Sequence, residues 1–124
     1  MKTVMFTGHR DCVCDEVMLD NIANLYGDCL WIHGGARGFD SQVDSVGKKY
    51  SIKIKVYNPN YKDNPAKTAP LIRNKEMLAA CDFVIACYDG RKRGGTYFVI
   101  CEAKKLGKRV MIIQPHHHIS KPTE

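Results

Sequence analysis

The 124-residue chain is 44% hydrophobic and 26% charged, a balance that excludes disordered and collagen-like chains and fits one globular domain. No apolar run approaches the roughly 18–20 residues of a membrane span, and the apolar start at Met1–Thr7 is too short for a signal peptide, so a cytoplasmic protein is expected. Nineteen Lys and Arg against thirteen Asp and Glu give a net charge of +6, a surplus suited to nucleic acid or to a small anionic ligand.

Thr3–Thr7 (TVMFT) is a β-branched, apolar run closed by Gly8, and it predicts a strand. Val17, Met18, Ile22, Leu25 and Tyr26 recur at helical spacing up to Gly27 and predict a helix with that apolar stripe. Leu30–His33 predicts a second buried strand ending in Gly34-Gly35. Phe39, Val43, Val46 and Tyr50 form one stripe of a second helix. Ile52–Tyr57 alternates Ile, Lys, Ile, Lys, Val, the pattern of a half-exposed strand near a sheet edge. A loop over Asn58–Lys67 leads to a helix from about Thr68 or Pro70 to Ala80, Pro being tolerated in a first turn. Phe83–Tyr88 predicts a buried strand, Tyr97–Leu106 a helix ending at Gly107, and Arg109–Ile113 a last strand. Residues 1–114 then make a single domain, and residues 115–124 a loose polar tail.

Five strands alternating with four helices predict an α/β fold, a Rossmann-like three-layer sandwich around a parallel five-stranded sheet. Right-handed crossovers leave two common strand orders, 3-2-1-4-5 and 2-1-3-4-5. Glycine-bearing turns follow strands 1, 2 and 4, at Gly8, at Gly34, Gly35 and Gly38, and at Gly90, Gly94 and Gly95. Only 3-2-1-4-5 makes those three strands neighbours, and it also puts the Lys-striped third strand at an edge, where charge discourages strand addition. The order 3-2-1-4-5 is therefore expected.

The charge is unevenly placed along this pattern. Residues 1–47 carry three basic and seven acidic side chains, net −4, and residues 48–124 carry sixteen and six, net +10. Six cysteines without a secretory signal are expected as free thiols. Cys81, Cys87 and Cys101 read as small core residues. Cys12 and Cys14 form a Cys-x-Cys with His9 and His33 as conceivable co-ligands, but the spacing is not that of a zinc ribbon, and no metal is expected. The His116–His118 tract has a metal-binding composition but falls on the tail.

In open α/β sheets, ligands lie beyond the carboxyl ends of the strands at the switch point, here between strands 1 and 4. At the first turn, Gly8 admits a close backbone approach and His9 holds a site position. Arg10 either forks onto a phosphate or pairs with Asp11 or Asp15. The second turn, Gly34-Gly35-Ala36-Arg37-Gly38-Phe39-Asp40, offers backbone N–H groups to an anion at a helix start. It is neither G-x-G-x-x-G nor a Walker loop. Asp40 caps its helix or meets a ribose hydroxyl, and Arg37 meets ligand or solvent. At the third turn Gly94, Gly95 and Thr96 open a helix behind the basic run Arg91-Lys92-Arg93, and Thr96 either caps that helix or bonds a phosphate oxygen. Arg73-Asn74 lies on the helix leading into the fourth strand. The carboxylates Asp40, Glu76, Asp89 and Glu102 form no recognisable catalytic pair, and there is no nucleophile elbow.

Together Thr7–Arg10, His33–Asp40, Ile72–Met77, Gly94–Thr96 and Ala103 resemble the SLOG superfamily of Rossmann-like nucleotide-binding domains, nearest its small YspA-type (YpsA-related) branch. The resemblance implies a nucleotide or nucleotide-derived ligand, NAD- or ADP-ribose-like or a nucleoside phosphate, and no separate cofactor. It would be held by Gly8, His9, Arg10, Gly34, Gly35, Arg37, Gly38, Asp40, Arg73, Asn74, Gly94, Gly95 and Thr96, with the glycine turns acting as phosphate-binding loops. Arg73 and Gly94-Gly95-Thr96 are also similar to the LOG phosphoribohydrolases, which imply cleavage of the N-glycosidic bond of a nucleoside monophosphate. Their motif puts a catalytic glutamate where this chain has Val99, leaving Arg73 and Glu102 as the catalytic candidates. Gly35–Asp40 and Arg73-Asn74 are similar to DNA-processing protein A, which implies single-stranded nucleic-acid binding. The aromatic platforms that single strands stack on are limited here to Tyr57, Tyr61 and Tyr88. A homodimer is the analogy offered by other small sheets.

Overall fold

The computed structural model describes residues 1–118. Its strands and helices are β1 (Thr3–Gly8), β2 (Cys12–Val13), α1 (Glu16–Tyr26), β3 (Leu30–His33), α2 (Phe39–Lys49), β4 (Ile54–Val56), α3 (Ala69–Ala80), β5 (Phe83–Cys87), α4 (Gly94–Lys105), β6 (Val110–Ile113) and β7 (His117–His118). The main sheet is parallel and runs β4-β3-β1-β5-β6. Counted over those five strands, this is the order 3-2-1-4-5 expected from the glycine turns. No helix among the described residues is long and apolar enough to cross a membrane.

Period-two alternation along the strands divides the core into two layers. Val4, Phe6, Trp31 and Ile85 face α1 and α2, where Leu19, Ile22, Phe39, Val43 and Val46 meet them. Met5, Ile32 and Val84 face α3 and α4, where Met77, Leu78, Val99 and Ala103 close the other side. Phe6 and Trp31 are the central aromatic pair, with ring centroids 4.6 Å apart.

Several local expectations change. In α1 the side chains facing the core are Leu19, Ile22 and Ala23, whereas Val17, Met18 and Leu25 are 62%, 43% and 69% exposed. Two apolar stripes share Ile22 on this helix, and packing against the sheet selects the one containing Leu19. The third strand contracts to Ile54–Val56, because Ile52 turns inward as its N–H closes a 2.8 Å bond to the Gly47 carbonyl. The last helix begins at Gly94 rather than Tyr97. Cys101 is half-buried, not a core residue. Residues 115–118 are not a loose tail: the His116 N–H donates to the Val13 carbonyl at 2.8 Å, and β7 pairs antiparallel with β2. Residues 119–124 of the expected tail lie outside the described residues.

Candidate functional site

Because the main strands are parallel, the turns after β1, β3, β4 and β5 all emerge at one end of the sheet. There they enclose a crevice of about 940 Å³, within the ~300–1,000 Å³ range of small-molecule sites. Of the residues expected at the site, Gly8, His9, Arg10, Gly34, Arg37 and Asp40 line the crevice from the β1 and β3 turns. Arg73, Asn74, Gly94, Gly95 and Thr96 line it from α3 and the α4 turn. Gly35 and Gly38 fall outside the lining. Gly35 packs beside Val56 and Asn58, and Gly38 against the carbonyls of Arg10 and Cys12.

The second turn is braced from within. Asp40 is neither a cap nor exposed: Gly38 is the N-cap residue of α2, and Asp40 is only 5% exposed. Its Oδ2 accepts the N–H groups of Gly34 and Ala36, both at 3.2 Å. Its Oδ1 is buried and, among the described residues, has no hydrogen-bond partner. Burial raises the Asp40 pKa, against the lowering effect of the Ala36 N–H. His33 is a satisfied core histidine. Nδ1 accepts the Gly35 N–H at 3.0 Å, so the proton sits on Nε2 and is donated to Asp44 Oδ1 at 2.9 Å.

Arg73 ties three elements at once. Nη1 donates to the carbonyls of Gly34 at 2.6 Å and Tyr57 at 3.1 Å, and Nε donates to Asn74 Oδ1 at 2.8 Å. Among the described residues Nη2 donates to no protein acceptor, so this arginine both braces the crevice wall and keeps an N–H edge for a ligand. A Cβ at Gly34 would overlap Arg73 Nη1, so alanine there would displace the guanidinium from its carbonyl partners.

At the third turn Gly94 has φ +90°, a left-handed conformation open to glycine at low cost. Arg93 stands at the N-cap of α4, and among the described residues its side chain makes no capping hydrogen bond to the first-turn N–H groups. A Cβ on Gly95 would come no nearer than 3.6 Å to Asn74 Nδ2. Thr96 does not cap its helix; its hydroxyl lies 3.4 Å from that of Thr7 on the crevice floor.

The basic run before that turn is used differently from its expected role. Arg91 is clamped between Asp89, 2.6 Å from Nη2, and Asp11, 3.0 Å away. It thereby links the β1–α1 loop to the β5–α4 loop, and the hydrogen bonds it donates to Asp89 hold its pKa above the usual arginine value. Asp89 also lies 3.5 Å from His9 Nε2. Cys12 and Cys14 belong to the first core layer, where burial pushes their thiols up to about 12 and about 11.

Glu102 is not in the lining; it pairs with Lys105 at 3.2 Å on the next turn of α4. Val99 is fully buried in the second core layer. The position matched to the hydrolase glutamate therefore carries no acid–base group. Residues that sequence reasoning did not place here include Phe6, Met77, Thr7, Asp11, Lys67, Pro70 and Leu71. The last three follow the β4 turn, and the one signal for them was that a parallel strand delivers its following loop to the same end of the sheet as the other turns.

No protein-family model matches the sequence, and no curated protein matches it. Solved structures do. DNA processing protein A (DprA) from Streptococcus pneumoniae aligns with TM-score 0.76 and 17% identity over 90% of this chain and 50% of its own. TM1055, a structural-genomics target, aligns with TM-score 0.68 and 24% identity over 89% of this chain and 72% of its own. This chain spans half the length of the first and has the Rossmann-like fold of both. DprA is the family that Gly35–Asp40 and Arg73-Asn74 resemble in sequence.

Proposed function

We propose that the crevice binds a nucleotide or nucleotide-derived ligand, with its phosphate on the Gly94-Gly95-Thr96 turn. The observation that carries this reading is the α4 N-terminus, which lines the crevice at the switch point between β1 and β5 with no capping hydrogen bond from its N-cap side chain among the described residues. Uncapped N–H groups and the positive end of a helix dipole suit an anion. Arg10, Arg37 and the open edge of Arg73 supply neutralising charge around it. At the β3 turn, by contrast, the Gly34 and Ala36 N–H groups are already donated to Asp40. The phosphate role read into two glycine turns therefore concentrates on one. Asp40 Oδ1, buried and without a partner among the described residues, is an acceptor suited to a ribose hydroxyl.

The test is a thermal-unfolding panel of adenine and guanine nucleotides, NAD and ADP-ribose. A ligand at a hundred times its Kd is expected to stabilise the fold by about 2.7 kcal/mol. Absence of any shift at millimolar concentration overturns the reading. A second reading, single-stranded nucleic-acid binding, is favoured by the fold shared with DprA and by the lysines of the loop after β4. Salt dependence separates the two, because a single strand neutralises more cationic groups than a nucleotide does.

A further inference from the structure

The two edges of the main sheet differ in charge. At one edge, Lys55 of β4 and its neighbour Lys53 are exposed, and lysines on an open strand discourage the addition of another. At the other edge β6 reads Val110-Met111-Ile112-Ile113 and carries no charge. Its inner side pairs with β5, and among the described residues no strand covers its outer side.

The backbone shows which groups face outward. The carbonyls of Arg109 and Ile113 accept the N–H groups of Val84 and Tyr88, both at 3.0 Å. Along a parallel ladder alternate residues bond to the same neighbour, so Met111 also turns its backbone to β5, while Val110 and Ile112 turn theirs to the open edge. The flank of this edge is apolar. Met111, Ile112, Ile113 and Pro115 share a groove with Met18 and Asp15 at the start of α1, and Met18 and Ile112 are each 43% exposed. None of these residues lines the crevice.

Opposite charges stand at the two ends of the strand. Arg109, just before β6, holds its guanidinium 5.3 Å from the ring centre of Phe83. Phe83 belongs to the core layer beneath α1 and α2, so Arg109 lies on the α1 face of the sheet. Asp15, the exposed N-cap of α1, shares the groove with Ile113 and Gln114 at the far end of the strand. A strand with a cation at its start and an anion beside its end is complementary to an antiparallel copy of itself.

We propose that β6 pairs antiparallel with β6 of a second copy of this chain, joining two five-stranded sheets across a two-fold axis. Such an interface is isologous, each contact occurring twice. Val110 of each chain exchanges backbone hydrogen bonds with Ile112 of the other, and Met111 meets its own copy at the axis. Arg109 then stands opposite Ile113 of the other chain, on the face where Asp15 lies. An unrelated extended peptide could match the backbone, whereas the paired charges specify a second copy.

Sedimentation equilibrium of the full chain, from micromolar to sub-millimolar concentration, tests this. Wild type is expected to show a monomer–dimer equilibrium. Ile112→Lys should raise the dimer Kd at least about tenfold, as a charge on a paired edge would do. Arg109→Glu should raise it at least about threefold, since it sets like charges across the interface. Lys53→Ala, at the opposite edge, should leave it unchanged. Ile112 and Arg109 are both exposed, and an unchanged far-ultraviolet circular dichroism spectrum shows that each variant folds. A monomer at every concentration overturns the proposal, as does a dimer that Ile112→Lys leaves intact. A dimer that Arg109→Glu leaves unchanged or strengthens overturns the antiparallel arrangement. Ligand binding in the crevice stands or falls independently of these results.

Discussion

Gly34 and Gly95 look alike in sequence, one the first and the other the second residue of a Gly-Gly pair near a helix start, yet they have opposite structural reasons. Gly34 makes room for a protein side chain. Replacing it with Ala would push Arg73 away and strand the carbonyls of Gly34 and Tyr57. Gly34→Ala is expected to cost about 1–3 kcal/mol in urea denaturation, the range for losing partners of buried polar groups. Gly95 makes room for nothing in the protein, its nearest neighbour being 3.6 Å from an added Cβ. Gly95→Ala is expected to leave stability within about 1 kcal/mol, helix propensity even favouring Ala. It should weaken the stabilising nucleotide at least about tenfold, a 1.4 kcal/mol loss, by intruding on the phosphate turn. Unchanged affinity in Gly95→Ala would move the ligand off that turn. The sequence marked both glycines as site candidates; only the position of Arg73 tells the structural one from the open one.

Elements are held together at their ends as well as through their faces. Helix α3 has no basic residue in its last turn, and its orphan carbonyls are met from another element. Lys108, two residues before β6, donates to Leu78 at 2.5 Å and Cys81 at 2.6 Å. Lys108→Met keeps the aliphatic stem and removes the donors. Hydrogen bonds to charged groups contribute about 1.5–3 kcal/mol when sheltered, and this half-exposed one falls toward the lower end, so a loss of about 1 kcal/mol in urea denaturation is expected. A loss under about 0.3 kcal/mol would mean that water replaces the ammonium without penalty. No local pattern announces this contact, because Lys108 lies more than 25 residues from both partners. The misassigned stripe of α1 has a similar origin: periodicity identifies the helix, but which of two apolar arcs is buried depends on where the sheet lies.

Across the whole molecule, the division of charge along the chain becomes a division between faces. The acidic first part builds α1 and α2 over one face of the sheet, where Glu16, Asp20 and Asp44 sit. The basic second part builds α3 and α4 over the other, with Arg73, Lys75, Lys104 and Lys105. The chain changes faces at the switch point, so the crevice draws Arg10 and Arg37 from one part and Arg73 from the other. Some of the remaining charge is internally matched, Arg91 by Asp11 and Asp89, and Lys49 by Asp20. That distribution fits a compact anion. Nucleotide affinity is accordingly expected to fall with a log–log salt slope below about 3, because few phosphates are neutralised, and a twelve-residue oligothymidylate should bind no tighter than the nucleotide. Fluorescence anisotropy across salt concentrations checks both. An oligonucleotide slope steeper than about 4, reduced by Arg37→Ala, Lys62→Ala and Lys67→Ala, would instead establish the single-strand reading.

The sequence alone determined the strand order, the placing of helices on both faces of the sheet and the end of the sheet at which the glycine turns gather. These follow from periodicity and from where glycine interrupts it, both properties of short segments. Tertiary structure decided which glycines are open, that Asp40 spends one oxygen on the Gly34 and Ala36 N–H groups, that Arg91 is bound to Asp11 and Asp89, and that Glu102 faces away from the crevice. It also brought Lys67, Pro70 and Leu71 to a crevice assembled from other turns. Each of these depends on a contact between residues distant in the chain or on the rotation of a helix about its axis, and neither is encoded in a local pattern of residue types.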